Sequence, residues 1–339
     1  MKCPKTNEEP ILSKEPKVVD YRKQNYEIVY HQYVCEESQA EYITDSLETV
    51  NKTQVLNQYR VQNNIPFPHE ITEIRERYGL SATKMSEVLG FGVNSYRQYE
   101  SGEMPSIANA KLIKIVDDPH IFIKMVELCS TLEEKHRIKY IQNAQSVIVK
   151  NKENEDIKNI ENYLLGGDYA DIYTGYRKPD LQKLIGMLLF FTEKTFPSKA
   201  KMNLLLFYAD FLMFKQTCYS ISGMRYKAVT TGPVLNNFLS IFEFIENNKG
   251  IKIYEGNPKD EKKINQVKYK MSLIIDSKIF SEEELHTLNQ IALFLKNQDT
   301  EAIINHSKSL EAWKSNEKEE KLISYKHAFN IKGLLQSDY

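Results

Sequence analysis

The chain has 339 residues, enough for two or three domains of typical size. Its hydrophobic content of 41% and charged content of 27% are typical of a globular protein, and its formal net charge of −1 gives no overall attraction to nucleic acid or to an anionic membrane. The first ten residues lack a signal-peptide core, and the longest apolar run, 184–191, is roughly half as long as a membrane span. Four scattered cysteines give no disulfide framework, so we expect a reducing cytoplasm and no membrane association.

Residues 1–65 predict a small β unit followed by a helix. Side chains that favour strands are concentrated between residues 18 and 34, with Lys23-Gln24-Asn25 as the predicted hairpin turn. A helix is expected at 45–63. Its apolar stripe consists of Leu47, Val50, Val55, Leu56 and Tyr59.

Two segments of this unit, Cys3-Pro4-Lys5-Thr6 and Cys35-Glu36-Glu37-Ser38, compare with the two halves of a zinc ribbon. A structural zinc site requires Cys-x2-Cys twice, so that four thiolates surround the metal. Only Cys3 and Cys35 remain of that four-ligand site, and the spacing of His31 is wrong for a third ligand. We therefore predict no zinc and no other cofactor, and a ribbon held together by aromatic packing.

Residues 66–118 predict a helix-turn-helix domain. Gly79 is placed to end the first helix, and Gly90 and Gly92 supply the tight turn before the third. At least one of Tyr96 and Tyr99 should pack inward. The predicted helices are 69–78, 82–89 with Ser81 as N-cap, and a third that begins at Asn94 as N-cap.

The third of these helices carries side chains suited to reading DNA bases, since Asn and Gln pair with adenine and Arg with guanine. Ser81 and Thr83 are expected to contact phosphate. The alternative is a three-helix bundle that never meets DNA, because residues 69–116 contain six basic and six acidic side chains and a DNA-binding domain usually has a basic face. The residues expected to touch base edges are Asn94, Ser95, Arg97 and Gln98.

The ribbon halves, the hairpin, the linking helix and the motif I-x-E-I-R-E-R-Y-G-L-S…L-G-F-G-V-N-S-Y-R-Q-Y-E-S-G together resemble the MqsA-type antitoxin family over roughly residues 1–118. The resemblance implies a zinc ribbon, a helix-turn-helix and repression of the protein's own operon. In that family an Asn and an Arg of the recognition helix read bases. Asn94 matches the first position, and Gln98 replaces the Arg with Arg97 beside it, so we expect a different base preference.

Residues 119–176 are predicted to be a helical connector, with helices at 121–128 and 132–149. The charged stretch 150–156 fits either a mobile tether or a docked helix, and both alternatives stay open. Gly166 and Gly167 should break any helix that precedes them.

Residues 177–339 form the largest predicted segment. Apolar helices are expected at 181–195 and 199–214, the second with Ser198 as N-cap. Asp210 is the one charge in an apolar run, so it must be exposed or hydrogen-bonded. A short hairpin is expected from 251–254 and 267–271, and a helix from Ser281 through residue 295.

Four motifs in this segment resemble the Panacea domain, also called SocA-like: L-L-x-F-Y-A-D-F at 204–211, I-S-G-M-x-Y at 221–226, T-G-P-V at 231–234 and H-S-x-x-x-E-A-W at 306–313. Panacea domains neutralise toxins encoded by a neighbouring gene, and one member instead delivers its toxin to a protease. The resemblance therefore implies a toxin-binding surface and no catalytic residue. Because exposed aromatic residues are common interface anchors, Tyr208 and Tyr226 are the candidates for that surface. Structural roles are expected for Asp210, Gly223, Gly232, Pro233 and Trp313.

Enzymatic activity is not expected. The chain has no nucleophile elbow, no phosphate-binding loop and no His-Glu-x-x-His motif. Cys218, Ser220 and Ser222 are available as nucleophiles, but His306 and Trp313 fit packing or capping roles better than catalysis.

These patterns predict a mainly α fold with small β elements (α+β). The predicted protein is a homodimeric antitoxin that neutralises a cognate toxin through 177–339 and binds operator DNA through 66–118. Two alternatives stay open: a stand-alone helix-turn-helix regulator whose C-terminal part senses a ligand or partner, and a protease adaptor for a toxin.

Overall fold

The computed structural model describes residues 2–3, 6–195, 197–249, 251–254, 266–269 and 279–332 of the chain. Over these residues the fold is mainly helical with small antiparallel sheets, as predicted from the sequence. No helix in the described ranges is both long and apolar enough to cross a membrane.

The first sheet is an antiparallel hairpin with a short third strand. Strands β1 (Ile11–Tyr21) and β2 (Gln24–Val34) pair along their whole length, and β3 (Glu41–Tyr42) pairs with the end of β2. Arg22 and Lys23 form the turn, each with a positive φ, as the tightest hairpin connection requires. The predicted turn at Lys23-Gln24-Asn25 was therefore displaced, because Gln24 and Asn25 already pair with β1.

The chain divides into two compact units, residues 54–160 and residues 1–53 together with 161–339. The ribbon-like hairpin shares a unit with the Panacea-like segment, and the predicted connector helices share a unit with the helix-turn-helix.

The 54–160 unit is all helical and has one apolar core. That core joins residues of the helix-turn-helix, such as Ile71 and Tyr96, to residues of the following helices, such as Phe122 and Tyr140. After α1 (Asp45–Gln62), its helices are α2 (Pro68–Arg77), α3 (Ala82–Val88), α4 (Ser95–Glu100), α5 (Ile107–Ile115), α6 (Pro119–Leu128) and α7 (Glu134–Glu153), with α8 (Glu155–Leu165) next along the chain. The charged stretch 150–156 is thus helical with one interruption at Asn154, and Gly166 and Gly167, both with positive φ, follow the end of α8.

In the other unit, α10 is the central helix. Every side chain from Lys201 to Phe214 is buried, as expected for a helix that is apolar on all sides. It packs against α9, α12, α13 and the β4–β5 hairpin. The elements after α8 are α9 (Leu181–Thr195), α10 (Lys199–Thr217), β4 (Tyr226–Val229), β5 (Gly232–Leu235), α11 (Phe238–Lys249), β6 (Ile251–Tyr254), β7 (Gln266–Tyr269), α12 (Glu282–Leu295), α13 (Thr300–Ser309) and α14 (Glu311–Lys314), followed by 3-10 turns at Glu317–Glu319 and Tyr325–Asn330.

The two N-cap residues predicted for helices of this unit are confirmed. The Ser198 hydroxyl accepts a hydrogen bond from the Lys201 N–H at 3.2 Å, and Ser281 forms a capping box with Glu284. Strands β6 and β7 pair antiparallel, as predicted, while residues 270–271 of the predicted strand lie outside the described residues.

The N-terminal hairpin packs on the C-terminal part of the same unit. Lys14 Nζ donates to the carbonyl of Phe329 at 3.1 Å, and the His31 ring meets the Phe329 ring edge to face at 4.8 Å. The Asn51 side chain bonds both the N–H and the carbonyl of His31, at 2.8 Å each. Burial, together with the charges of Lys14 and Lys215, lowers the pKa of His31 to about 4.

Candidate functional site

Helices α2, α3 and α4 have the connections predicted for a helix-turn-helix. Gly79 and Gly90 have φ of +70° and +68°, the left-handed conformation that closes a helix. The Ser81 hydroxyl accepts from the Lys84 N–H at 3.2 Å and so caps α3. Gly92, the other predicted turn glycine, does not have a positive φ, so the turn depends on Gly90.

The start of α4 differs from the prediction. Asn94 occupies the N-cap position, but its side chain makes no capping bond. The buried hydroxyl of Ser86, on α3, instead accepts the Tyr96 N–H at 3.1 Å. Tyr96 and Tyr99 are both buried, and the Tyr96 hydroxyl donates to the carbonyl of Ile71 at 2.8 Å. These bonds fix α4 on α2 and α3, so its outer face is presented on a rigid base.

The side chains predicted to contact DNA lie on accessible positions of this unit. The side chains of Arg97 and Gln98 are exposed and make no hydrogen bond or ion pair with any described residue. Ser95 is half-buried beside Gly92. Ser81, Thr83 and Asn94 are exposed as well.

Three cations of this unit are engaged in ion pairs, whereas Arg97 of α4 is not paired with any described residue. Arg75 Nε bonds Glu100 Oε1 at 2.6 Å, and Lys84 Nζ bonds Glu87 Oε2 at 2.8 Å. The bond from Lys84 also lowers the pKa of Glu87. Arg77 pairs with Asp117. Arg97 has no acidic partner in the described part of the chain, so its charge stays available for a ligand.

Arg60 supports this helix and was not identified from the sequence. It lies in the last turn of α1 and is 1% exposed. Its guanidinium donates to the carbonyls of Pro66 at 2.6 Å and Gly102 at 3.0 Å, and so fixes the backbone that follows α4. Nothing in the helical periodicity of α1 marks this arginine as buried.

Asp210 organises a second, fully buried site in α10. Its Oδ1 accepts the N–H groups of Ile221 and Ser222 at 2.8 and 2.9 Å. Its Oδ2 accepts the hydroxyls of Ser222 and Tyr226 at 2.5 and 2.7 Å. Burial raises the pKa of the Asp210 carboxyl, and these bonds act against that rise. The predicted structural role of Asp210, as partner of the glycine-containing loop, agrees with this geometry.

The glycine of that loop is required by space. Gly223 has a φ of +72°, and a Cβ placed there would lie 2.4 Å from the carbonyl oxygen of Lys178. On the other side of the loop, the Tyr325 hydroxyl donates to the carbonyl of Met224 at 2.8 Å. The motif at 221–226 is therefore a packing motif.

Tyr208 and Tyr226 do not have the exposure for which they were chosen as toxin-binding candidates. Both are 0% exposed. The Tyr208 hydroxyl bonds Nδ1 of His306 at 2.7 Å, and Tyr226 bonds Asp210. The expectation that these are surface aromatics was wrong, because α10 is buried on all sides and β4 packs against the aromatic rings of Phe207 and Phe211.

The groups considered as nucleophiles also have structural partners. The Ser220 hydroxyl donates to the carbonyl of Thr174 at 2.7 Å, and the Ser222 hydroxyl is bound to Asp210. Burial raises the pKa of the Cys218 thiol well above its ordinary value. Trp313 also has a structural partner, since its Nε1 donates to the carbonyl of Val229 at 2.7 Å.

The ribbon positions form two pairs across the loops, but their donor atoms do not suit zinc. Cys3 Sγ lies 3.6 Å from Ser38 Oγ, and Cys35 Sγ lies 3.2 Å from Thr6 Oγ1. Structural zinc sites use four thiolate or imidazole ligands, whereas this set has two thiols and two neutral hydroxyls. No cluster of three or more His, Cys, Asp or Glu suited to a metal ion occurs among the described residues.

A helix-turn-helix whose α4 has exposed Arg97 and Gln98 side chains is followed along the chain by a module built around the buried Asp210. Residues 1–125 match the family described as the antitoxin component of a bacterial toxin-antitoxin system, MqsA. Residues 203–314 match the family described as antitoxin SocA-like, Panacea domain. The chain is thus similar to the MqsA family over its first part and to the SocA-like Panacea domain over a later part, as its motifs predicted. No curated protein matches it.

Proposed function

We propose that this protein is an antitoxin that neutralises a cognate toxin through its Panacea-containing unit and represses its own operon through the helix-turn-helix. Two antitoxin family matches in one chain support the general role. A bifunctional chain of this kind couples the amount of free toxin to transcription, because the same molecule binds both toxin and operator.

The DNA-binding part of this proposal rests on the exposed outer face of α4. Three neighbouring cations of the unit are engaged with carboxylates, whereas Arg97 and Gln98 are exposed and unengaged within the described structure. An Arg beside a Gln suits a step that contains guanine and adenine, at about 1–3 kcal/mol of discrimination per bidentate pair. Two half-sites about one helical turn apart are expected for a dimer.

A gel-shift assay with the DNA upstream of the protein's own gene tests this half. Arg97→Ala combined with Gln98→Ala should remove specific retention, and the far-UV circular dichroism should stay unchanged because neither side chain has a partner among the described residues. Lys314→Ala, which removes one charge from an exposed position of α14, is the matched control. Unchanged retention by the double variant would contradict the recognition-helix assignment.

Growth on induction of the neighbouring open reading frame, with and without this chain, tests the toxin-binding half. The full chain is needed, because residues 1–53 belong to the same unit as the Panacea domain. Toxicity relieved by the wild type and by the Arg97→Ala, Gln98→Ala variant alike would separate neutralisation from DNA binding. Relief that disappears in protease-deficient cells would indicate an adaptor. A harmless neighbour or unrelieved toxicity would leave a stand-alone regulator.

A further inference from the structure

The two loops at the open end of the N-terminal hairpin have the same backbone design. In each, a cysteine N–H donates to the carbonyl five residues later, at 2.7 Å in the first loop and 3.0 Å in the second. The residue four positions after the cysteine has a positive φ, of 61° and 51° respectively. A hydroxyl side chain stands three positions after the cysteine. The residues concerned are Cys3, Thr6, Asn7 and Glu8 in the first loop, and Cys35, Ser38, Gln39 and Ala40 in the second.

The side chains bond across the two loops rather than within either one. Cys3 pairs with Ser38, and Thr6 pairs with Cys35, so each contact joins the loop before β1 to the loop after β2. Both cysteines are buried, at 2% and 1% exposure. These four side chains, Cys3, Thr6, Cys35 and Ser38, are called the loop clamp below.

Tyr42 of β3 lies near both cysteines. Burial raises the pKa of its hydroxyl, and so do Cys3 and Cys35, both of which are close enough to act on it. The Tyr42 ring also stacks on Tyr33 of β2, with 6.2 Å between ring centroids. The clamp therefore closes over the end of the sheet, where β2 and β3 pair.

The chemistry of the clamp is that of neutral hydrogen bonding. A zinc ion draws its stability from thiolates, and two of them with two neutral hydroxyls leave the ion poorly neutralised and poorly held. A thiol and a hydroxyl, by contrast, each supply one donor and one acceptor, so two such pairs join the loops without any added ion.

We propose that the loop clamp takes the place of the metal ion of a zinc ribbon: the hairpin closes without metal, while its four side-chain positions still converge as ligand positions do. This inference stands independently of the proposed function. It predicts both that the natural protein does not need zinc and that two substitutions suffice to create a metal site.

The first measurement is the metal content and stability of the full natural chain. After purification from zinc-supplemented cells, we expect well below one zinc per chain. The midpoint of thermal unfolding, followed by the fluorescence of Trp313, should be the same with and without EDTA. One tightly held zinc per chain, with a lower midpoint after chelation, would overturn the proposal.

The second measurement uses Thr6→Cys combined with Ser38→Cys, which supplies four cysteines at the two loop positions. We expect about one Co²⁺ per chain, with the visible absorption of a tetrahedral thiolate site, and a midpoint that rises on addition of Zn²⁺. Ser13→Cys combined with Ser146→Cys adds the same number of thiols away from the clamp and is the matched control. If the clamp variant binds no more Co²⁺ than this control, the four positions do not converge and the proposal is wrong.

A third variant tests the hydroxyls themselves. Thr6→Val combined with Ser38→Ala keeps both cysteines and removes both pairs. It should lower the midpoint of the metal-free protein by about 2–4 °C, and β1 and β2 should exchange amide hydrogens faster. An unchanged midpoint with unchanged exchange would show that the hydroxyls do not hold the loops together.

Discussion

Asp210 is a carboxylate enclosed in an apolar helix, and the loop after that helix supplies the donors that make its burial tolerable. A buried charge is costly unless its lone pairs are satisfied, and here both oxygens accept two hydrogen bonds each. The residue therefore ties α10 to the loop at 221–226. Two Panacea motifs that are separate in sequence are thereby one structural element.

Substitution of Asp210 should give a graded loss of stability. Asp210→Ala leaves two backbone N–H groups and two hydroxyls without their acceptor and should cost about 3–5 kcal/mol. Asp210→Asn keeps an oxygen for the two N–H groups, while the two hydroxyls can turn their hydrogens away and accept from the amide NH2, so about 1–2 kcal/mol is expected. Urea unfolding followed by Trp313 fluorescence measures both. Equal losses for the two variants would show that the hydrogen bonds do not set the cost.

His31 gives the same unit a dependence on acid. Its pKa falls from an ordinary 6.5 to about 4 on folding, because burial and the charges of Lys14 and Lys215 disfavour the imidazolium. Below pH 6.5 the His31 imidazole of the unfolded chain therefore binds a proton, whereas in the folded chain it stays neutral until the pH falls to about 4. The free energy of unfolding should fall through this window, by about 3 kcal/mol in total.

The comparison of His31→Phe with the wild type at pH 7.5 and pH 4.5 isolates this contribution. Phenylalanine keeps a ring against Phe329 but does not titrate. The variant should lose less stability between the two pH values than the wild type, by about 2–3 kcal/mol. His120→Gln, at an exposed position in α6, is the control and should behave as wild type. An equal acid loss in His31→Phe and wild type would contradict this assignment.

Helix α4 illustrates how far local signals determine an element. Gly79 after α2 and Ser81 at the start of α3 located these helices to within one residue at each end, because those signals act on the backbone next to them. The same reasoning predicted that Asn94 caps α4, but the hydroxyl of Ser86 on the neighbouring helix α3 accepts the Tyr96 N–H instead. A contact between helices carries no local sequence signature, so only the fold reveals it.

Two substitutions should therefore separate stability from binding in this element. Ser86→Ala leaves the buried Tyr96 N–H without an acceptor and should cost about 1–3 kcal/mol. Asn94→Ala removes a side chain with no capping bond and should change stability by less than about 0.5 kcal/mol, while it weakens operator binding. Amide hydrogen exchange in α3 and α4 measures the first effect and a gel shift the second. A large stability loss in Asn94→Ala would contradict the observed cap.

Helix α10 is an element whose orientation the local sequence does not predict. Its sequence is apolar on every side, so periodicity fixes its length but not which face meets which neighbour. Tyr208 was accordingly assigned to a surface although it lies in the core. The helix and its N-cap were predictable from the sequence, and the direction of its aromatic side chains was not.

At the scale of the molecule, the main surprise is the position of the N-terminal hairpin. Lys14 and His31 contact Phe329, about three hundred residues later in the chain. Charge and hydrophobic patterning describe neighbours in sequence and therefore cannot predict such a pairing. The hairpin is part of the Panacea-containing unit, although its sequence motifs belong to the MqsA-type region.

Phe329→Ala should destabilise both the N-terminal hairpin and the rest of the Panacea-containing unit. The ring is 1% exposed and packs on Phe214 and His31, so its removal should cost about 3–5 kcal/mol. Trp313 fluorescence should report a lower urea midpoint, and β2 should lose amide protection in the same experiment. Leu239→Ala, at a residue that is 73% exposed, should leave both unchanged. A lower midpoint with full protection of β2 would show that the hairpin is stable without this contact.

The discontinuity of that unit also imposes an order on biosynthesis. Residues 54–160 are contiguous, so their core is complete once the ribosome has passed α7. The hairpin, although translated earlier, cannot make its contacts with Phe329 until that residue has been translated. A nascent chain would thus hold the unit proposed to bind DNA well before the module proposed to bind a toxin is finished, and under that proposal a ribosome that stalls late would leave operator binding without neutralisation.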